Sequence, residues 1–389
     1  MTAGPLPLPV TLALPSGPIA RRVIAGFARA GVTIGGNAPW DIRVHDPAFF
    51  SRVASDGALG LGESYMDGHW DADALDALFH RLCLARHPRT RSLGRYLMLV
   101  RSRLANLQSR RRARHVIERH YDLSNALYAR MLDPHMQYSC AYWQDGATDL
   151  ATAQEHKLAL ICKKLDLRPG ERVLEIGGGF GGLARYMAER HGVHVTSLNI
   201  SREQMHWARD ITRGLPVDIV YADYRDARGT YDKVVSIAML EAVGRKNYRA
   251  YMEVVHRCLK DDGLFLLHTI GDNVYRPYGD RWILKYIFPN GQLPAMADIA
   301  AASDHLFVLE DWHNFGPDYD RTLLAWHANF ERHWPDIQRA APSLDERFRR
   351  MWRYYLLMSA GTFRGRNLQL WQMVFTRHKS GTHWRRPPA

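Results

Sequence analysis

VLEIGGGFGGLA, Val173–Ala184, is a short apolar strand running into a glycine-rich turn and then into a helix, Leu183–His191. Gly177, Gly179 and Gly182 carry the G-x-G-x-x-G spacing, which lets a backbone approach a nucleotide closely at a helix N-terminus. Downstream, the chain keeps alternating. HVTSLNI (His194–Ile200) is a second strand, and Ser201 reads as the N-cap of the next helix, with Gln204 three residues on. VDIVYAD (Val217–Asp223), KVVSIAM (Lys233–Met239) and LFLLHTI (Leu264–Ile270) are further strands, with a helix over Tyr248–Leu259. The alternation predicts an α/β fold, Rossmann-like, with a doubly wound and mostly parallel sheet. Ligands then belong at the carboxyl ends of the strands, near the switch point.

A glycine loop alone suits NAD as well as a methyl donor. An NAD site wants an acid closing the second strand to bind the ribose, and Asn199 stands there. The acid closes the third strand instead, at Asp223, where it can accept from an adenine amino group; the plainer alternative is a turn residue before Tyr224 and Arg225. Glu175, just before the glycines, favours a cationic ligand, which suits the sulfonium of S-adenosylmethionine better than a pyrophosphate. The sequence therefore reads as a class I methyltransferase type. Glu241, after the fourth strand in AMLEAVG, and His268, ending the fifth in LLHTIG, project to the same sheet edge. A carboxyl and an imidazole can meet there over the donor's reactive end.

Composition bounds the partners. The 389 residues carry 52 Lys+Arg against 40 Asp+Glu, a formal charge of +12. From Ala77 to Ile117 there are eleven arginines and no acid, so this window supplies +11 of that charge. Such a field attracts nucleic acid or an anionic bilayer. Leu93, Leu97, Val100, Leu104 and Leu107 give the window a helical apolar stripe, fit for a membrane surface or for packing on the body. Cys83, Cys140, Cys162 and Cys258 have no paired spacing, which excludes a disulfide scaffold and a Cys-rich zinc module; no metal is expected. No stretch approaches a membrane span, and the proline-broken start lacks a basic n-region, so the expectation is a cytoplasmic protein. The division expected is a flexible 1–20, a small N-terminal domain over 21–100 with a lipid-docking role, a basic linker helix over 101–118, and a catalytic domain over 119–389 with an acyl-binding helical insertion. GLGESYMDGHW, Gly60–Trp70, reads as a glycine-punctuated turn.

Beyond these patterns, HYDLSN (His120–Asn125), MLDPHMQYSCAYW (Met131–Trp143), VLEIGGGFGGLA, KYIFPNGQLP (Lys285–Pro294), EDWHNFGPDYDRTL (Glu310–Leu323), GTFRGRNLQLWQMVF (Gly361–Phe375) and GALGLGESYMDG (Gly57–Gly68) resemble the bacterial cyclopropane-fatty-acyl-phospholipid synthases. The likeness covers nearly the whole chain. It implies transfer of a methyl from S-adenosylmethionine to a cis double bond in a membrane phospholipid, with peripheral association at the inner face of the cell membrane and a homodimer. It implies a bicarbonate bound by Cys140, Glu241, His268, Ile270 through its backbone, and Tyr319. It also implies donor contacts from Tyr138, Ser139, Gly177, Gly179, Asn199, Gln204, Asp223, Tyr224 and Arg225. Methyl addition leaves a carbocation, which needs dry surroundings, aromatic faces and a base for one proton. No G-x-S-x-G elbow supports a nucleophile, so Cys140 reads as a lining group. Trp312, Phe315, Trp326, Phe330, Trp334, Trp352, Tyr354 and Tyr355 would wall an acyl tunnel, or form ordinary helical core.

Four positions depart from the family pattern. Gly178 replaces a Cys, Phe180 a Trp, Glu175 an Asp, and Ala242 a His. Ala242 adjoins the catalytic acid, so a methyl- or methylene-branched product is the alternative outcome. A nucleic-acid methyltransferase or a non-catalytic lipid-binding protein is the alternative of a different class. Against the first, MLEAVG stands where a base methylase carries Asn/Asp-Pro-Pro-aromatic, and no nucleic-acid partner is expected.

Overall fold

The chain is described by a computed structural model over residues 15–85, 125–276 and 279–387. The N-terminal part comprises α1 (Pro18–Ala28), β1 (Arg43–Val44), α2 (Ala48–Asp56), α3 (Ala58–Met66), β2 (Trp70–Asp71) and α4 (Leu75–Leu84). The β1 and β2 strands pair antiparallel, Val44 opposite Trp70. Phe49 packs between Phe27 and Trp70 with centroid distances of 6.2 Å to each.

The stretch expected as a turn, Gly60–Trp70, is mostly helix. Its glycines permit close packing instead of bending the chain. A Cβ on Gly60 would lie 2.0 Å from the Arg52 carbonyl oxygen, and one on Gly62 would lie 2.3 Å from the Trp282 ring. The bends fall at Gly57 and Gly68, both with positive φ.

The larger part continues with α5 (Asn125–Met131), α6 (Leu150–Leu165), β3 (Arg172–Ile176), α7 (Gly182–His191), β4 (His194–Asn199), α8 (Arg202–Ile211), β5 (Val217–Tyr221) and β6 (Tyr231–Ile237). Then follow α9 (Leu240–Val243), α10 (Tyr248–Cys258), β7 (Leu259–Gly271), α11 (Arg281–Tyr286), α12 (Met296–Ser303), β8 (Phe307–Asn314), α13 (Pro317–Ala340), α14 (Glu346–Arg364) and β9 (Gln369–Arg377). The strands form one sheet in the order β5-β4-β3-β6-β7-β9-β8. The first five are parallel, as the sequence alternation predicts; β9 runs antiparallel to both β7 and β8. The chain leaves β3 towards β4 on one side and reaches β6 on the other, so the glycine loop ending β3 sits at the switch point.

Two long helices, α13 and α14, join the sheet to the N-terminal elements, and the three share one buried core that includes Phe49, Trp70, Leu78, Trp326 and Trp352. The α14 helix meets α4 through glycines. A Cβ on Gly361 would lie 2.4 Å from the Asp76 carbonyl oxygen, and one on Gly365 would lie 2.8 Å from Cys83. Beside them Arg364 bonds Asp76 at 2.8 Å and both oxygens of Asp320 at 2.8 and 2.9 Å. Of the basic window, only residues 77–85 lie within the described chain, where Arg81 stacks over Trp40 at 3.7 Å. The helix expected over Leu93–Leu107, the linker 101–118 and most of HYDLSN lie outside the described residues.

Candidate active site

The carboxyl ends of β3–β7 open into a cavity of about 1280 Å3. One part is lined by the glycine loop with Asn199, Gln204, Asp223, Tyr224 and Arg225, and by Tyr138 and Ser139. Gly177 and Gly179 adopt φ of +87° and +54°, and a Cβ on Gly177 would lie 2.8 Å from Met239. The Asn199 side chain holds the loop by donating to the Gly179 carbonyl at 2.8 Å, and its oxygen accepts from the Ser201 amide at 2.8 Å. Ser201 caps α8 by accepting from the Gln204 amide, as its sequence position predicts. Asp223 both caps the turn over Tyr224–Asp226 and pairs with Arg225 at 2.9 Å. Asp223 is therefore a turn cap that also lines the cavity.

Glu175 also supports the loop from below. Its buried carboxyl accepts from the Ser197 hydroxyl at 2.5 Å, and burial pushes its pKa up to about 7. A Cβ on Gly178 would lie 1.9 Å from Ser197 Oγ and 2.6 Å from Glu175 Oε2. The longer acid thus fills the space over which a side chain at 178 would stand. It props the loop from beneath and also lines the cavity.

The other part of the cavity is apolar, with Leu82, Ile283, Leu284, Phe288, Leu323 and Met358 among its lining. Tyr138, Tyr319, Tyr354 and Tyr355 add rings, and the Tyr138 and Tyr355 hydroxyls lie 3.1 Å apart. Of the eight aromatics singled out in the sequence, Tyr354 and Tyr355 face the cavity; Trp326, Phe330 and Trp352 are fully buried core, and Trp312 packs on Trp371.

Glu241 lies in the first turn of α9 and lines the cavity with Ile270 and Tyr319. Its Oε1 accepts from the Ile270 amide at 2.7 Å, while Oε2 is buried with no hydrogen-bond partner among the described residues. Burial pushes this carboxyl up to about 7. His268 and Cys140 are wholly buried behind the wall, outside the cavity lining. The His268 ring packs edge-on to Phe315, and neither of its nitrogens has a partner among the described residues. Burial, with the charges of Lys157 and Lys164, holds its pKa well below the ordinary histidine range, so it is a neutral imidazole. Burial and Asp318 push the Cys140 thiol well above its ordinary range, which makes it a protonated thiol behind the wall and no nucleophile. Buried polar atoms left unpaired on Glu241 and His268 are what a small polar group with both donors and acceptors would satisfy, as bicarbonate has.

One residue escaped sequence reasoning. Lys157 of α6 is fully buried and donates to Gln137 and Ser139. The signal for it was periodicity: Lys157 falls between Ala153 and Ile161 on the face of α6 that is buried.

A sequence model of the family described as mycolic acid cyclopropane synthetase matches residues 108–373. The chain is 52% identical over 353 residues to the cyclopropane-fatty-acyl-phospholipid synthase of Escherichia coli (strain K12), covering 90% of this chain and 91% of that one. It is 34% identical over 359 residues to tuberculostearic acid methyltransferase UfaA1 of Mycobacterium tuberculosis (strain ATCC 25618 / H37Rv), covering 86% and 82%. Among solved structures, mycolic acid cyclopropane synthase CmaA1 complexed with SAH and CTAB superposes with a TM-score of 0.63 at 26% identity, over 68% of this chain and 98% of that one. With a glycine loop at the sheet's switch point, an apolar continuation of the cavity and these relatives, the chain belongs to the mycolic acid cyclopropane synthetase family.

Proposed function

We propose that the protein transfers the methyl of S-adenosylmethionine to a cis double bond of an unsaturated phospholipid acyl chain and closes a cyclopropane ring there, with bicarbonate as proton acceptor. The observation that carries this is a single cavity lined both by a glycine-cradled polar site and by an apolar channel wall, with Glu241 in its lining. The enzyme is an S-adenosylmethionine-dependent methyltransferase. When bound, the donor supplies an electrophilic methyl and bicarbonate supplies a base. The chain's own residues do the rest. Gly177, Gly179, Asn199 and Asp223 orient the donor. Leu284, Phe288, Leu323 and Met358 keep water from the acyl chain, and the faces of Tyr138, Tyr319 and Tyr355 stabilise positive charge developing on it. Glu241 Oε2, in the cavity lining, offers an acceptor to the base, and the neutral His268 ring behind the wall adds no net positive charge there.

Among the described residues, no helix is long and apolar enough to cross a membrane. The reading is of peripheral association with the inner face of the cell membrane through the arginine-rich window, by a homodimer. The deciding experiment incubates purified protein with labelled S-adenosylmethionine and either unsaturated phospholipid vesicles or nucleic acid, and identifies the product by mass. Gain of one CH2 with loss of the double bond is expected. A branched product carrying the label but no ring would replace cyclopropanation with methylation, and label in nucleic acid would overturn the lipid reading.

A further inference from the structure

Lys157 carries its ammonium in a fully buried place and makes no ion pair among the described residues. Nζ donates to Gln137 Oε1 at 2.7 Å and to Ser139 Oγ at 2.9 Å. One turn earlier on the same face of α6, the Gln154 amide donates to the Ser139 carbonyl at 2.9 Å and towards the Gln137 carbonyl at 3.4 Å. The segment 137–139 is thus gripped through main chain and side chains together, and its other side, with Tyr138 and Ser139, faces the cavity. The carboxylate nearest in charge, Asp133, already accepts from the His135 and Gln137 amides, each at 2.8 Å. The ammonium therefore has neutral acceptors only, and a buried charge left so is costly unless an anion completes its surroundings.

The chemistry of the contact fixes a direction. An ammonium has protons to give and no lone pair, so Ser139 Oγ is obliged to accept from it. The Ser139 hydroxyl proton must then point away from Nζ, and it is polarised by the charge behind it.

We propose that Lys157 is a positioning residue that locks Ser139 as a hydrogen-bond donor to a carboxylate-type oxygen in the cavity, supplied either by the amino-acid end of S-adenosylmethionine or by bicarbonate. The inference rests on the S-adenosylmethionine-dependent reading above. A bound carboxylate would add a negative charge to that of Asp133, despite whose attraction burial brings this ammonium down to about 7.

The test is calorimetric titration of the full-length wild type, Lys157→Met, Ser139→Ala and the double variant with S-adenosylmethionine, S-adenosylhomocysteine and decarboxylated S-adenosylmethionine, which lacks the carboxylate. Turnover is followed in parallel against added bicarbonate in carbon-dioxide-depleted buffer. If the donor's carboxylate is the partner, each single variant weakens the two carboxylate-bearing ligands about tenfold or more and leaves the decarboxylated one unchanged, as loss of a charge-assisted hydrogen bond requires. If bicarbonate is the partner, donor affinities hold and the bicarbonate needed for half-maximal turnover rises by a similar factor. In either case the double variant is no worse than the singles. Ser139→Ala keeps Lys157 in place, so it reads the contact even if Lys157→Met folds poorly. Equal losses for all three ligands, no change in any readout, or additive effects would overturn the proposal. A wild type that binds neither S-adenosylmethionine nor S-adenosylhomocysteine would overturn the reading beneath it.

Discussion

Glu241 is half satisfied: one carboxylate oxygen holds the Ile270 amide and the other is buried and unpaired. Such an atom costs stability, and its retention marks a place that something else must complete. Replacing it should separate chemistry from binding. Glu241→Gln is expected to lower turnover by about a hundredfold or more, the scale of positioned proton-transfer groups, with donor affinity nearly unchanged. Cys140→Ser should stay within about tenfold of wild type, because a buried and protonated thiol is no nucleophile. Single-turnover kinetics and donor titration check both, and unchanged turnover in Glu241→Gln would remove the carboxyl from the mechanism. Glu241 and His268 were legible in the sequence because strand ends of a parallel sheet share an edge. That His268 and Cys140 lie behind the cavity wall was not, since depth is decided by how α13 and the segment 137–143 pack. Lys157 was hidden for a similar reason: a lysine in a polar-looking helix reads as surface until tertiary packing buries it.

At the scale of elements, the glycine loop and the strand before it behave as one unit. Glu175 and Gly178 are separate departures in the sequence, yet in space the Glu175 carboxyl and Ser197 occupy what a side chain at 178 would need. Gly178→Cys alone should therefore overpack the loop and destabilise the protein by about 1–3 kcal/mol. Adding Glu175→Asp shortens the acid by one methylene and should recover most of that loss, measurable by thermal or denaturant unfolding of the two singles and the double. Additive losses would show that the two positions are independent. The parallel strands and their helices were readable because a continuous apolar run followed by a helical period is a local signal. The antiparallel β8–β9 pair was not. QLWQMVFTR (Gln369–Arg377) is equally apolar, and its direction is set by where α14 delivers the chain. The helix at Ala58–Met66 was misread because its glycines answer to neighbours distant in sequence, Trp282 among them.

Over the whole molecule, charge is concentrated in one place. Outside Ala77–Ile117 the formal balance is +1, so attraction to an anionic surface belongs to that window. Replacing Arg110, Arg111 and Arg112 with Gln should weaken binding to anionic vesicles by about 1 kcal/mol per residue near the surface and flatten its salt dependence. Vesicle sedimentation across ionic strengths checks this, with neutral vesicles as the control; unchanged binding would make the excess charge merely compositional.

The clamp between the two parts of the chain has a consequence for how the enzyme can be divided. Arg364 ties Asp76 to Asp320, and Gly361 and Gly365 let α4 seat against α14. Leu82 and Cys83 of that same α4 contribute to the cavity lining. The N-terminal elements are thus a plug as much as an appendage: a chain without them would open this end of the cavity to solvent. In the proposed reaction a carbocation there would be captured by water, and the hydroxylated lipid formed would report the missing plug.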